Sequence, residues 1–252
     1  DHPDATPNFP PDPATWLAGN DLRIAVVGLG TGTVAVYGRK GDYVRFYEIN
    51  ADMLRISDKY FTYRKESPAE NEVVLGDARL TMERQRRDGQ SGKFDVIVLD
   101  AFSGDSIPLH LLTTEAMELY LYHLKPDGVL AFHISNRYID LKGLVRGLAD
   151  HAGKLSLLID SNDETNEHFP RLDNSEWVLV TASKPLLAAM RLQPGAADWP
   201  KDGAKPVVFT DDYSNLLELM DLQKELDDMK QDLRDEWKSL GDWFRSLGHK
   251  TK

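Results

Sequence analysis

Glycines and acids in the first half of the chain are spaced for holding a nucleoside. Gly28-Leu-Gly30-Thr-Gly32 follows the apolar run Leu22 to Val27 and precedes a helical stretch. Glycines there let the backbone turn sharply and let a ligand approach the main chain. Glu48 closes the next apolar run, about 20 residues on, where an acid accepts from both hydroxyls of a ribose. Gly76-Asp77-Ala78 closes the third, and an Asp there accepts from an adenine amino group. The glycine spacing departs from the dinucleotide fingerprint Gly-x-Gly-x-x-Gly, since Thr33 stands where that pattern asks for glycine. It suits a ligand without a pyrophosphate: S-adenosylmethionine or a relative rather than NAD.

Other residues have the chemistry for a second ligand. Asp100 ends the apolar run Val96-Ile-Val-Leu99, at the carboxyl end of a strand where open α/β sheets bind their ligands. The same position suits a turn-capping Asp. Asp105 follows, before Ile107-Pro108. Asp211 and Asp212, with Tyr213, form an acidic pair that either meets an amine or caps a following helix. His133 alternates with Phe132 and Ile134 and is expected to be a core-edge residue. His110 and His168 lack metal-ligand spacing, so no metal is expected.

The elements that must position these residues follow from hydrophobic pattern. Strands are expected over Leu22–Val27, Tyr43–Glu48, Glu72–Leu75, Phe94–Asp100, Val129–Ile134, Leu155–Ile159 and Trp177–Thr181. Helices are expected over Thr31–Tyr37, Ala51–Tyr60, Ala78–Arg86, a segment capped by Thr113 or Thr114 and running to His123, and Leu141–His151. Lys125-Pro-Asp-Gly128 is expected to turn. The alternation predicts an α/β, Rossmann-like, seven-stranded, mostly parallel sheet with helices on both faces and an antiparallel last strand. From Leu216 on, apolar residues recur every three or four positions, through Leu219, Leu222, Leu226, Met229 and Leu233. That stripe predicts a long amphipathic C-terminal helix that either packs on its own domain or, as its length favours, makes an intermolecular contact such as a homodimer. Three parts are thus expected: a Pro-rich segment 1–20, an α/β domain 21–213 and the helix 214–252.

Four motifs carry a family resemblance over roughly 22–182. Val26-Val-Gly-Leu-Gly-Thr-Gly32, Phe46-Tyr-Glu-Ile49, Leu75-Gly-Asp-Ala-Arg79 and Phe94-Asp-Val-Ile-Val-Leu-Asp-Ala-Phe-Ser103 resemble the spermidine synthase-like group of the class I methyltransferase fold. Asp100 to Pro108 and Thr210 to Tyr213 are similar to stretches of bacterial members, some of which are fused to transporter-like membrane segments. The resemblance implies that Gly28, Gly30 and Gly32 line the methionine-derived part of the cofactor. It implies that Glu48 holds the ribose, and that Asp77, with Ala78 beside it, holds the adenine. Asp100 then receives the proton of the attacking amine, and Asp105 matches a second acid in a longer loop. The chemistry agrees: amines are protonated near neutral pH, and a carboxylate within reach binds the ammonium and takes its proton during attack.

Two departures bear on function. Thr31 stands where the family places an acid that holds the donor's amino group. Residues 1–20 are Pro-rich where the family carries a small β domain. An enzyme transferring aminopropyl or methyl from S-adenosylmethionine or decarboxylated S-adenosylmethionine to a small cationic amine is expected; the alternative is a non-catalytic nucleoside-binding or assembly module.

Composition bounds the rest. The 252 residues carry a formal charge of −11 and no cysteine. Disulfides and thiolate chemistry are excluded, and a field of that sign repels nucleic acid and favours cationic ligands. No run is long enough to span a bilayer. A cytoplasmic location is expected, or a membrane-associated one if the chain belongs to a longer protein.

Overall fold

The computed structural model describes residues 21–101, 108–136, 139–160, 175–193, 195–197 and 205–219, and positions 199, 230, 234 and 238. In chain order the strands and α-helices are β1 (Arg23–Val27), β2 (Tyr43–Glu48), α1 (Ala51–Tyr60), α2 (Tyr63–Glu66), β3 (Glu70–Leu75), α3 (Ala78–Arg87), β4 (Phe94–Leu99), α4 (Thr114–His123), β5 (Leu124–His133), α5 (Lys142–His151), β6 (Leu155–Asp160), β7 (Glu176–Thr181), α6 (Lys184–Met190) and β8 (Ala196–Ala197). The strands form one sheet in the order β3-β2-β1-β4-β5-β7-β6-β8. The first five pair in parallel, and β7 runs antiparallel between β5 and β6.

The interior strands are apolar because helices cover both faces. One core cluster packs Met82 of α3, Met117 and Tyr120 of α4 and Leu144 and Leu148 of α5 against Ile97, Leu130 and Val180. A smaller cluster packs Val26, Val44 and Phe46 with Leu29 and Ala35. Between β1 and β4 the chain order reverses, and the diverging connections leave a crevice at the carboxyl ends of the strands.

Several expectations are corrected. Among the described residues the sheet has eight strands where seven are expected, because Ala196 and Ala197 pair with Ile159 and Leu158. Two residues are too few to show a period. The helix expected over 31–37 is a 3-10 turn over Thr33–Tyr37, preceded by Gly32 in the left-handed region and rich in β-branched residues that disfavour α-helix. Strand β5 begins at Leu124 rather than Val129; a register shift opposite Phe94 and Val96 takes up the Lys125-Pro-Asp-Gly128 segment. Of the C-terminal helix expected over 214–252, the described start is a 3-10 turn over Leu216–Glu218 capped by Asn215; beyond 219 only Lys230, Arg234 and Lys238 are described, and they are helical and exposed. Among the described residues no helix is long and apolar enough to cross a membrane.

After β8 the chain returns across α5 and α4. Val207 N–H donates to Gly143 O, and a Cβ on Gly147 would stand 2.2 Å from Val207 O. Glycine lets the two backbones touch. Thr114 N–H then donates to Phe209 O at 2.9 Å, which delivers Asp211 to α3. There the buried Arg79 guanidinium is clamped. It donates to both oxygens of Asp211 and, at 2.6 Å, to His110 O. Thr113 Oγ1 donates to Asp211 Oδ1 at 2.9 Å. The Arg79 bonds hold the Asp211 carboxyl below its ordinary value.

His123 is buried, with Nδ1 accepting from Gly92 N–H at 3.1 Å and Nε2 3.0 Å from Met82 O. Those partners require a neutral ring with the proton on Nε2. Burial pushes its pKa below the ordinary 6.5.

Both shifts are depressions, so the unfolded chain binds more protons on the acid side and stability falls as pH falls. The His123 contribution is complete above 6.5 and is lost as pH drops below it through the folded value. The Asp211 contribution is complete above 3.8 and is lost in the more acidic window. Scanning calorimetry between about pH 8 and about pH 5 should show Tm falling by at least about 2 °C, with a flatter profile in His123→Gln. Near neutral pH, Asp211→Asn should lose about 1–2 kcal/mol in denaturant unfolding, since it removes the two-pronged partner of the buried Arg79 guanidinium and leaves it only the half-exposed Glu83 as a counter-charge.

Candidate active site

The crevice between the ends of β1 and β4 opens into a cavity of about 490 Å³, within the ~300–1,000 Å³ usual for small-molecule sites. Six of the residues singled out from sequence line it: Gly28, Gly30, Glu48, Asp77, Ala78 and Asp100.

Gly28 has φ 97°, and a Cβ there would lie 2.2 Å from Asp100 O. Only glycine lets the end of β1 lie so close to the end of β4. Gly30 faces open space, with nothing within 4 Å of where a Cβ would be. Gly32 is not in the cavity wall; it packs against the Arg64 and Ser57 side chains.

Glu48 is 7% exposed. Its Oε2 accepts from Leu29 N–H of the glycine loop at 2.9 Å, and its Oε1 accepts from Asn50 N–H at 2.7 Å. Both oxygens are thus stabilised by backbone dipoles. A carboxylate has about four acceptor sites, so two remain for hydroxyl donors in the cavity.

Asp77 caps α3, its Oδ1 accepting from Leu80 N–H at 2.9 Å. Its Oδ2 stands 3.1 Å from His110 Nε2. His110 lines the cavity from the 3-10 turn Leu109–Leu111, which the Arg79 clamp holds through His110 O.

Asp100 continues β4, its N–H donating to Val27 O at 2.9 Å. Its Oδ1 lies 2.8 Å from His133 Nδ1. His133 is half-buried at the end of β5, the core edge that its alternation predicts, and from there it pairs with Asp100. The pairing follows from register: Leu99 is the partner of Phe132, so the residues that follow each emerge side by side. Neither residue advertises this in sequence, because the strand pairing is not written there.

Asp105 lies outside the described residues. Asp211, expected at the substrate, is committed to Arg79 and Thr113 instead. Asp212 and Tyr213 are exposed on the adjoining turn, where Thr210 and Tyr213 form a backbone bridge, and do not line the cavity. Among the described residues no three His, Cys, Asp or Glu side chains converge as a metal site would require.

No protein-family model matches the chain. It is 36% identical over 114 residues to a polyamine aminopropyltransferase of Vibrio vulnificus (strain CMCP6), covering 43% of this chain and 36% of that protein. It is 29% identical over 126 residues to a probable polyamine aminopropyl transferase of Bifidobacterium longum (strain NCC 2705), covering 48% of this chain and 26% of that protein. The chain thus matches about a third or less of the length of these relatives. Among solved structures, a probable spermidine synthase from Corynebacterium glutamicum ATCC 13032 superposes with a TM-score of 0.51 at 21% identity, over 73% of this chain and 68% of that one. At that identity the likeness concerns the fold. By its sheet order the chain has the methyltransferase fold, and over less than half of its length it is similar to polyamine aminopropyltransferases, as a spermidine synthase-like sequence is.

Proposed function

We propose that the cavity holds S-adenosylmethionine or its decarboxylated form and that the chain passes an alkyl group, aminopropyl or methyl, to an amine. One observation carries the reading. Glu48, Asp77 and Asp100, at the carboxyl ends of β2, β3 and β4, surround one cavity floored by the glycine loop that follows β1 between them. The fit is chemical as well as spatial. Glu48 offers unused acceptor sites to a ribose, Asp77 offers acceptors where an adenine amine would lie, and Gly30 leaves room against the main chain. Such a sulfonium, when bound, supplies a carbon whose bond to sulfur breaks with both electrons going to sulfur.

The protein's own residues do the rest. Asp100 Oδ2, which has no hydrogen-bond partner among the described residues, holds an acceptor amine. It takes the proton that the nitrogen releases as its lone pair forms the new bond to carbon. The acidic surface, with a formal charge of −11, draws a cationic acceptor toward the cleft. Thr31, in place of an acid, leaves the carboxyl state of the donor to be decided by assay.

Two experiments check this. Calorimetry should show binding of S-adenosylmethionine, decarboxylated S-adenosylmethionine or methylthioadenosine. Glu48→Ala and Asp77→Ala should each weaken it at least about tenfold, as expected for lost charge-assisted hydrogen bonds. Undiminished binding in both variants would show that the cavity is not the nucleoside site. Separately, Asp100→Asn should keep nucleoside affinity within about twofold and lower product formation with putrescine-like amines by about 10²–10⁴, read by mass spectrometry. Equal turnover would remove Asp100 from the mechanism.

A further inference from the structure

The His133 ring is restrained on three sides. Nδ1 lies 2.8 Å from Asp100 Oδ1, and Nε2 lies 2.9 Å from Ser135 Oγ. One face stacks on Trp177, with ring centroids 4.7 Å apart and planes inclined by 21°. Trp177 is the register partner of His133 on the antiparallel neighbour β7, so the stack is built into the sheet. Ser135 is itself held, because its Oγ accepts from Glu176 N–H at 2.7 Å. Glu176 is anchored in turn by Lys142 Nζ, 2.5 Å from its Oε1. A residue kept only for packing at a core edge has no need of such directional restraint.

These partners select a tautomer. Ser135 Oγ already accepts from Glu176 N–H and keeps its own hydrogen to give, so it donates to Nε2. In the neutral ring the remaining proton is then on Nδ1, which donates to Asp100 Oδ1. The other tautomer would set the Nδ1 lone pair against a carboxylate.

Given the transfer activity proposed above, we propose that His133 is the positioning residue of that reaction: its Nδ1–H occupies Asp100 Oδ1 and fixes the carboxylate so that Oδ2 meets the acceptor nitrogen. An aspartate at a strand end otherwise samples several rotamers, and a proton acceptor displaced by about 1 Å loses much of its effect. The Trp177 stack and the Ser135 hydroxyl are the outer supports of the same alignment, as outer-shell partners orient ligating groups at metal sites. The proton balance is unchanged by His133. The amine proton goes to Asp100 Oδ2, and the imidazole keeps its own hydrogen throughout.

The test uses the geometry of amide side chains. His133→Asn places an N–H where Nδ1–H stood, whereas His133→Gln places its amide near Nε2, and His133→Phe keeps only the stack. Turnover in Asn should stay within about fivefold of the parent protein, and Gln and Phe should lose about 10–100-fold in kcat. Nucleoside affinity by calorimetry should remain unchanged in all three. Nitrogen-15 NMR of the ring should report Nδ1–H in the parent protein and a changed tautomer balance in Asp100→Ala. Gln or Phe turning over like the parent, Asn as impaired as Phe, or an Nε2–H ring in a protein that turns over would each overturn this role alone. Absence of nucleoside binding in the parent protein would instead overturn the transfer activity itself, and this role with it.

Discussion

An anion held by main-chain amides organises this molecule. Glu48 sits at 7% exposure, with one oxygen on the Leu29 amide of the glycine loop and the other on the Asn50 amide that opens α1. Burying a carboxylate without partners costs several kcal/mol, so those two bonds are obligatory. They fix the path of the loop after β1 relative to the end of β2. Loop and strand end then form one wall, with the remaining lone pairs of Glu48 facing the space between. The carboxylate that holds the loop in place is also the one proposed above to accept from a ribose.

A second constraint comes from far along the chain. Asp211 is separated from Arg79 by most of the sequence, yet their pairing sets the opposite wall, because Arg79 also grips the carbonyl of His110. The segment 205–209 reaches that place by lying directly on the glycines of α5. Asp211 therefore serves the cavity without lining it. An acidic pair that looked suited to an amine is divided between one member bonded inward to a guanidinium and another left exposed.

The two ends of the proposed chemistry are supported in different ways. The nucleoside side rests on backbone amides and helix capping, with Asp77 both capping α3 and facing His110. The acceptor side rests on side chains of β4, β5 and β7 bonded in series through Asp100, His133 and Ser135 to the Glu176 amide. The first arrangement fixes a shape, and the second fixes the direction of one carboxylate.

What the sequence determined by itself was local. Apolar runs ending in glycine or acid marked β1 to β4, and α1 begins and ends at the residues its pattern predicts, because burial on both faces and capping leave direct traces in residue type. The glycines and acids at those strand ends were legible for the same reason. Tertiary structure alone decided what depends on pairing between distant segments. The Asp100–His133 contact needs the register of β4 with β5; the Arg79–Asp211 clamp needs the return of the chain across α5; and β8 exists only because two alanines meet the edge of β6. Such contacts join residues whose types are common and whose spacing carries no period, so the folded chain brings them together with no local signal in advance.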